Sequence, residues 1–145
     1  MGAVLTSISN FAAFTSLQEL KLRWNSLTSF PTNEITSPDF ISLVLDSNDF
    51  ASIDVSNLVN LQYLSLGYNQ FTNIDISNNV NLISAPFASN RLTETSVNNI
   101  LIQLDNNGLL NGFCYTAEGT NEAPTGAGIT AKNNLIAKGW TVNTN

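Results

Sequence analysis

Apolar positions recur along this chain in a frame of fixed shape. Four stretches, 17-LQELKLRWNSL-27, 40-FISLVLDSNDF-50, 61-LQYLSLGYNQF-71 and 82-LISAPFASNRL-92, each read apolar-x-x-apolar-x-apolar-x-x-Asn-x-apolar. The shared asparagines are Asn25, Asn48, Asn69 and Asn90, at spacings of 23, 21 and 21. Upstream, 5-LTSISNF-11 matches only the second half of the unit, as in 27-LTSFP, 50-FASID and 71-FTNID, so the chain enters in mid-repeat. A unit of this length cannot bury its own apolar face, but stacked units share one continuous core. The alternation in 20-LKL, 43-LVL, 64-LSL and 85-APF has the period of a strand, with both outer residues of each triplet pointing inward. One short strand per unit then stacks into a parallel sheet, with Leu22, Leu45 and Leu66 in the shared interior. The asparagine falls where the chain must bend. Its amide can satisfy backbone groups exposed by the turn, and successive units pile these side chains into a ladder.

Between the strands the chain has little room. Return segments such as 53-IDVSNLVN-60 and 74-IDISNNVN-81 are too short for a full helix, which predicts turns, extended pieces or a single 3-10 turn. The segment 30-FPTNEITSPD-39 carries two prolines and predicts a bulging loop. After Leu92 the period fails. Val97, Ile100, Leu101 and Leu104 share one helix face, with Thr93 or Thr95 to cap its start and Gly108 to end it. Then 112-GFCYTAEG-119 reads as a strand, 129-ITAKNNLIAKG-139 as a second short helix and 140-WTVN-143 as a last strand.

The repeat resembles the leucine-rich repeat across residues 5–92. Its short units resemble internalin-like repeats of bacterial surface proteins more than the longer, helix-backed intracellular type. The ending, 123-APTGAGITAKNNLIAKGWTV-142, resembles a closing module that follows such repeats in bacterial and phage proteins. The resemblance implies an α/β solenoid with short parallel strands on a concave sheet, turns or 3-10 pieces on the convex side and an α/β C-terminal cap. Residues 1–92 would be the repeats, the first unit incomplete, and 93–145 the cap on the same core. A last coil exposes its interior, and Trp140 and Val142 are the expected plug; a sugar-binding role is the alternative for Trp140. At the other end, Val4, Leu5, Ile8, Phe11 and Phe14 read as core residues of the incomplete unit. That edge either continues into residues outside this chain or packs on another subunit.

Charge narrows the partners. Five Lys and Arg face eleven Asp and Glu, a net charge of -6, which argues against nucleic acid and against a polybasic membrane footprint. No apolar run is long enough to cross a bilayer, and MGAVLTSISNFAAF lacks the basic start and apolar centre of a signal peptide. Only 11% of residues are charged. An uncharged polar surface of this kind suits an extracellular setting, a bacterial cell surface or a virion. Either a signal was removed upstream, or the protein leaves its cell without one, as phage structural proteins do at lysis.

Chemistry is sparse. Histidine is absent, no glycine-rich phosphate loop follows a strand, and no serine sits in a nucleophile elbow. We therefore assign no catalytic residue, no cofactor and no metal, and read the chain as not an enzyme. Cys114 stands alone and is expected to be a small buried hydrophobe. Asp54 and Asp75 share a column of the return segments. Turn capping is the expected role, with a shared calcium ion as the alternative. Glu118 and Glu122 read as solvated loop residues.

Recognition falls to the outward positions of the strands. Among them Lys21, Arg23, Trp24, Asp46, Tyr63 and Tyr68 are the candidate ligand-binding residues. Arg23 and Asp46, one repeat apart, are expected to pair. Trp24, Tyr63 and Tyr68 are large aromatics where packing demands none, beside serine hydroxyls, a combination suited to a glycan or a protein epitope. The fourth row (Ser84, Pro86, Ala88, Ser89) is small and smooth. The expected function is a protein- or glycan-binding adhesion module. The alternative is a decoration subunit that docks a neighbour through an edge formed by Leu5, Ile8, Phe11 and Phe14.

Overall fold

The computed structural model describes residues 4–145; Met1, Gly2 and Ala3, which begin the opening stretch, lie outside the described residues. Six three-residue strands form one sheet in chain order: β1 (Glu19–Lys21), β2 (Ser42–Val44), β3 (Tyr63–Ser65), β4 (Ser84–Pro86), β5 (Phe113–Tyr115) and β6 (Thr141–Asn143). Every neighbouring pair is parallel. Leu20, Leu43 and Leu64 stand side by side in register, and so do Ala85, Cys114 and Val142. Each strand begins one residue before the expected triplet and ends before its last apolar member. Those members (Leu22, Leu45, Leu66 and Phe87) still donate their N–H to the next strand, at 2.9, 2.8, 3.1 and 2.8 Å, but there the chain is already turning.

The interior is dry. Leu43, Leu45, Leu64, Leu66, Phe50, Phe71 and Phe87 have no solvent exposure. Phe50 and Phe71 stack with centroids 6.3 Å apart. Each such side chain contributes about 1.5–3 kcal/mol through burial. Leu20 and Leu22, in the first row, are only half-buried because no complete coil covers them. Cys114 is fully buried, and burial pushes its thiol up to about 12, so it packs as a hydrophobe.

The asparagine ladder forms as the repeat predicts and runs further than the repeat does. The Oδ1 of Asn48, Asn69 and Asn90 accepts the N–H of Leu27, Phe50 and Phe71 in the preceding coil, at 3.0–3.1 Å. Their Nδ2 groups donate both to the preceding coil (Leu22, Leu45 and Leu66 carbonyls) and to their own turn. Asn25 serves Leu5 in the same way, at 3.0 Å. A fifth rung comes from Asn121, which the period does not announce: it accepts Leu92 N–H at 2.8 Å and donates to Phe87 and Thr116 carbonyls. On the convex side, Asn79 is fully buried and holds the Val55 and Leu58 carbonyls of the coil before it. The proline-rich return folds into a 3-10 turn at Thr32–Glu34; the two later returns are turns only.

Helix α1 (Glu94–Asn106) replaces the next return. Thr93 caps it, accepting Ser96 N–H at 3.2 Å, and Val97, Ile100, Leu101 and Leu104 are buried. The helix also supplies polar partners to the last coil, as Ser96 Oγ accepts Ile74 N–H and Gln103 Oε1 accepts Ile76 N–H. Helix α2 spans Gly126–Ala137, starting three residues before the expected Ile129. Packing decides this. Gly128 lies against Asn98 of α1, where an added Cβ would fall 1.9 Å from Oδ1, and Asn98 Oδ1 accepts Thr125 N–H at 3.0 Å. Lys138 of the closing turn pairs with Asp105 at 2.6 Å. Trp140, 4% exposed, sits in the core with its indole N–H on Leu109 carbonyl at 2.8 Å, and Val142 is buried beside it.

The N-terminal end departs from expectation. Only Phe11 is core, its ring tilted against Phe30 with centroids 5.3 Å apart, and Ile8 is half-buried. Val4, Leu5 and Phe14 are 54%, 43% and 57% exposed, because among the described residues nothing packs over them.

Each ladder amide serves two coils, which makes its loss costly where it is buried. Asn69→Ala is expected to destabilise by about 2–3 kcal/mol in urea unfolding, since a buried N–H and carbonyls lose their partner. Asn121→Ala should match it despite lying outside the repeat, whereas half-exposed Asn25→Ala should cost under about 1 kcal/mol.

Candidate functional site: the concave face

The turn that follows each strand fixes where side chains project. The residue after the strand's last outward position adopts a left-handed backbone after each of the first five strands: Trp24, Ser47, Tyr68, Ser89 and Glu118, with φ of 61°, 57°, 55°, 53° and 69°. This twist lets the following asparagine turn inward to the ladder and throws its own side chain outward along the rim of the sheet. For residues other than Gly or Asn, the conformation costs about 1–2 kcal/mol. Trp24 and Tyr68 accept that cost and stand 78% and 58% exposed.

Four of the six candidate residues converge. Arg23, Trp24, Asp46 and Tyr68, with Ser47, line one hollow of about 230 Å³. Tyr63 lines a second hollow, about 270 Å³, whose walls also include Arg23, Ser42, Val44 and Ser65. Lys21 borders neither, being drawn to Glu19 on its own strand at 2.8 Å. The expected pair forms, with Arg23 Nε donating to Asp46 Oδ2 at 2.9 Å. The guanidinium is half exposed, which limits the pair to about 0–1 kcal/mol. Asp46 is nonetheless held firmly. Its Oδ1 accepts Ser65 Oγ at 2.5 Å and Gly67 N–H at 3.1 Å, and the missing side chain at Gly67 leaves room for it.

Glu118 is an exposed loop residue as expected, but it is also held by hydroxyl donors. Tyr115 donates to its Oε1 at 2.5 Å, and Ser89 and Tyr68 hydroxyls approach Oε2 at 3.2 and 3.4 Å. The Tyr115 hydroxyl first, then Ser89, hold its carboxyl below the usual range, and the same bond raises Tyr115. Period reading misses this residue because the cap inserts two positions. Phe87 precedes Asn90 by three, but Thr116 precedes Asn121 by five. The sequence signal is the match of 87-FAS to 116-TAE, which sets Glu118 beside Ser89.

On the opposite face, Asp54 and Asp75 cap turns, accepting Ser56 N–H and Ser77 N–H at 2.9 Å each. Among the described residues no group of three or more Asp, Glu, Cys or His side chains could hold a metal ion. No helix among them is long and apolar enough to cross a membrane.

Neither a protein-family model nor a curated protein matches the sequence. Solved structures do. An internalin, InlF, from Listeria monocytogenes is 20% identical over 97% of this chain, with a TM-score of 0.73. The functional domain of InlJ from the same organism is 17% identical over 95%, with a TM-score of 0.64. The fold is an internalin-type leucine-rich repeat. This leucine-rich repeat chain spans 38% and 33% of those two chains. The InlJ domain includes a cysteine ladder; here the sequence has one cysteine, and the stacked ladder is built of asparagines.

The convex aspartates set a pH dependence. Backbone and side-chain hydrogen bonds from Ser77 hold Asp75 below 3.8, and those from Ser56, its hydroxyl first, do the same for Asp54. Each binds its proton more weakly folded than unfolded, so the stabilisation is complete above the unfolded value and is lost as pH falls through the lowered one. The urea midpoint should therefore fall between about pH 6 and about pH 3, and Asp75→Asn should flatten that fall.

Proposed function

We propose that this chain is a non-enzymatic binding module whose concave face contacts a protein or glycan ligand, displayed on a bacterial cell surface or a phage particle. The observation that carries the reading is the pair Trp24 and Tyr68. Two large aromatics occupy strained, outward positions where Asn or Gly would fold more easily, and each leaves most of its surface in water. Exposed aromatics beside a fixed charge pair are the usual anchors of recognition. The internalin-type fold supports the reading by presenting one open parallel sheet.

Folding and recognition make opposite demands at these positions. Trp24→Asn and Tyr68→Asn should each raise stability by about 0.5–1 kcal/mol, by relieving the left-handed backbone. The same changes should abolish retention of the protein on glycan arrays or immobilised protein panels. Binding that survives both substitutions would overturn the assignment.

A second reading is favoured by the apolar edge at Leu5 and Phe14, with half-buried Ile8; Phe11 is covered and cannot contribute. There the domain would act as a decoration or structural subunit, docking a neighbour against β1. Light scattering should then show a mass above 15.7 kDa that rises with concentration and returns to the monomer in Phe14→Asp. A monomer at every concentration would count against it.

A further inference from the structure

The sheet has two free edges, and they match. β1 and β6 stand at opposite ends of the strand order, each with one neighbour among the described residues. β6 bonds β5 through Thr141 N–H and the Asn143 carbonyl, which turns the N–H and carbonyl of Val142 to the outer edge. β1 bonds β2 through the Gln18 carbonyl and Leu22 N–H, which turns the backbone groups of Glu19 and Lys21 outward. These are the two alternating sets that a parallel pair exchanges. Continuing the register of the sheet would set Val142 beside Leu20 on the inner face. On the concave face it would set Thr141 beside Glu19 and Asn143 beside Lys21, so no like charges would meet. The layers behind the two edges match as well. Residues 5–14 form a return with no strand of their own coil beneath them, and their Leu5 and Phe14 are exposed. β6 is a strand with no later return packed past it among the described residues, and α2 is the last layer at that end. Asn134 bonds Asp105 of α1 at 2.8 Å, which fixes the side of α2 that faces α1. At about 100° per residue, Ile129 and Ile136 fall on roughly the opposite side. They are 47% and 49% exposed.

Resting on the second reading, in which the β1 edge docks a neighbour, we propose that this neighbour is another copy of the chain, bound through its opposite end. β6 of one copy lies parallel to β1 of the next, one strand spacing of about 4.8 Å away. The return at residues 5–14 then completes the coil that β6 begins and covers Ile129 and Ile136 of α2. Because the two surfaces differ, the contact is heterologous, and it repeats along the stack instead of closing at two copies. Pairing two β1 edges does not serve as well. Each carries its own return, and strands at the usual spacing leave no room for it between the coils.

Blocking one end at a time tests this. The intact chain is followed by light scattering across a concentration series, and its mass should pass twice 15.7 kDa without levelling off there. Ile136→Asp, which blocks the α2 end, and Phe14→Asp, which blocks the β1 end, should each stay monomeric. Mixed in equal amounts, the two variants should form a complex of twice 15.7 kDa and nothing larger, because each contributes one intact end. In the unaltered chain, amide exchange at Val142 should slow as concentration rises. Both substituted residues are exposed; should an aspartate variant lose its cooperative melt, Ile136→Ser and Phe14→Ser give the same pairing test. A mass that levels off at the dimer, assembly of Ile136→Asp like the unaltered chain, or a mixture that stays monomeric would overturn the proposal. In those cases loss of association in Phe14→Asp would still leave the β1 edge standing as a docking surface. A monomer at every concentration would overturn both.

Discussion

One constraint organises this molecule: every coil must bend sharply, and each bend leaves backbone N–H and carbonyl groups facing a dry interior. A carboxamide can answer both kinds of group at once, and asparagine is the shortest side chain that carries one. Because each ladder side chain bonds its own turn and the coil before it, the coils are joined by more than apolar contact. The return segments may differ in length and shape, but the distance from strand to asparagine stays fixed through four repeats. When the cap changes that distance, it still delivers Asn121 to the same column. The period ends before the requirement does.

The same bend creates the row of outward positions proposed for recognition. To aim the asparagine inward, the preceding residue takes a left-handed backbone, and its side chain is forced out to the rim. Interior demand therefore dictates where the outward positions lie but says nothing about what fills them. Small or polar residues at Ser47 and Ser89 are the economical choice. Trp24 and Tyr68 are not, and no interior contact requires them there. Asp46 lies between these regimes, tied to one neighbour by Arg23 and to the other by Ser65 and Gly67, and lines the hollow between Trp24 and Tyr68.

Much of this was legible in the chain. The frame of apolar residues and asparagines predicted a parallel stack, and the facing pair Arg23 and Asp46, the Thr93 cap and the Trp140 plug followed from local pattern and register. What pattern missed has physical causes. Gly126 and Gly128 are poor helix formers, so the start of α2 is visible only once Asn98 is seen to require a residue without a side chain. The extra two residues before Asn121 hid both the fifth rung and Glu118, two of whose hydroxyl partners, Ser89 and Tyr68, lie 29 and 50 residues away in the chain. Phe14 and Leu5 carry apolar side chains that the described residues leave uncovered, so hydropathy alone places them in a core they do not enter.

The half-covered first row has a dynamic consequence. In a linear stack, cohesion comes from nearest neighbours, and the coil with one neighbour missing opens first. Leu20 and Leu22 are half-buried and Asn25 is partly open to water, so amide exchange would be fastest at this end and slowest against the cap. Trp24 belongs to that loosest coil, while Tyr68 is anchored two coils deeper. A guest held by both would act as a brace across the fraying end, converting occupancy of the rim into resistance to local opening.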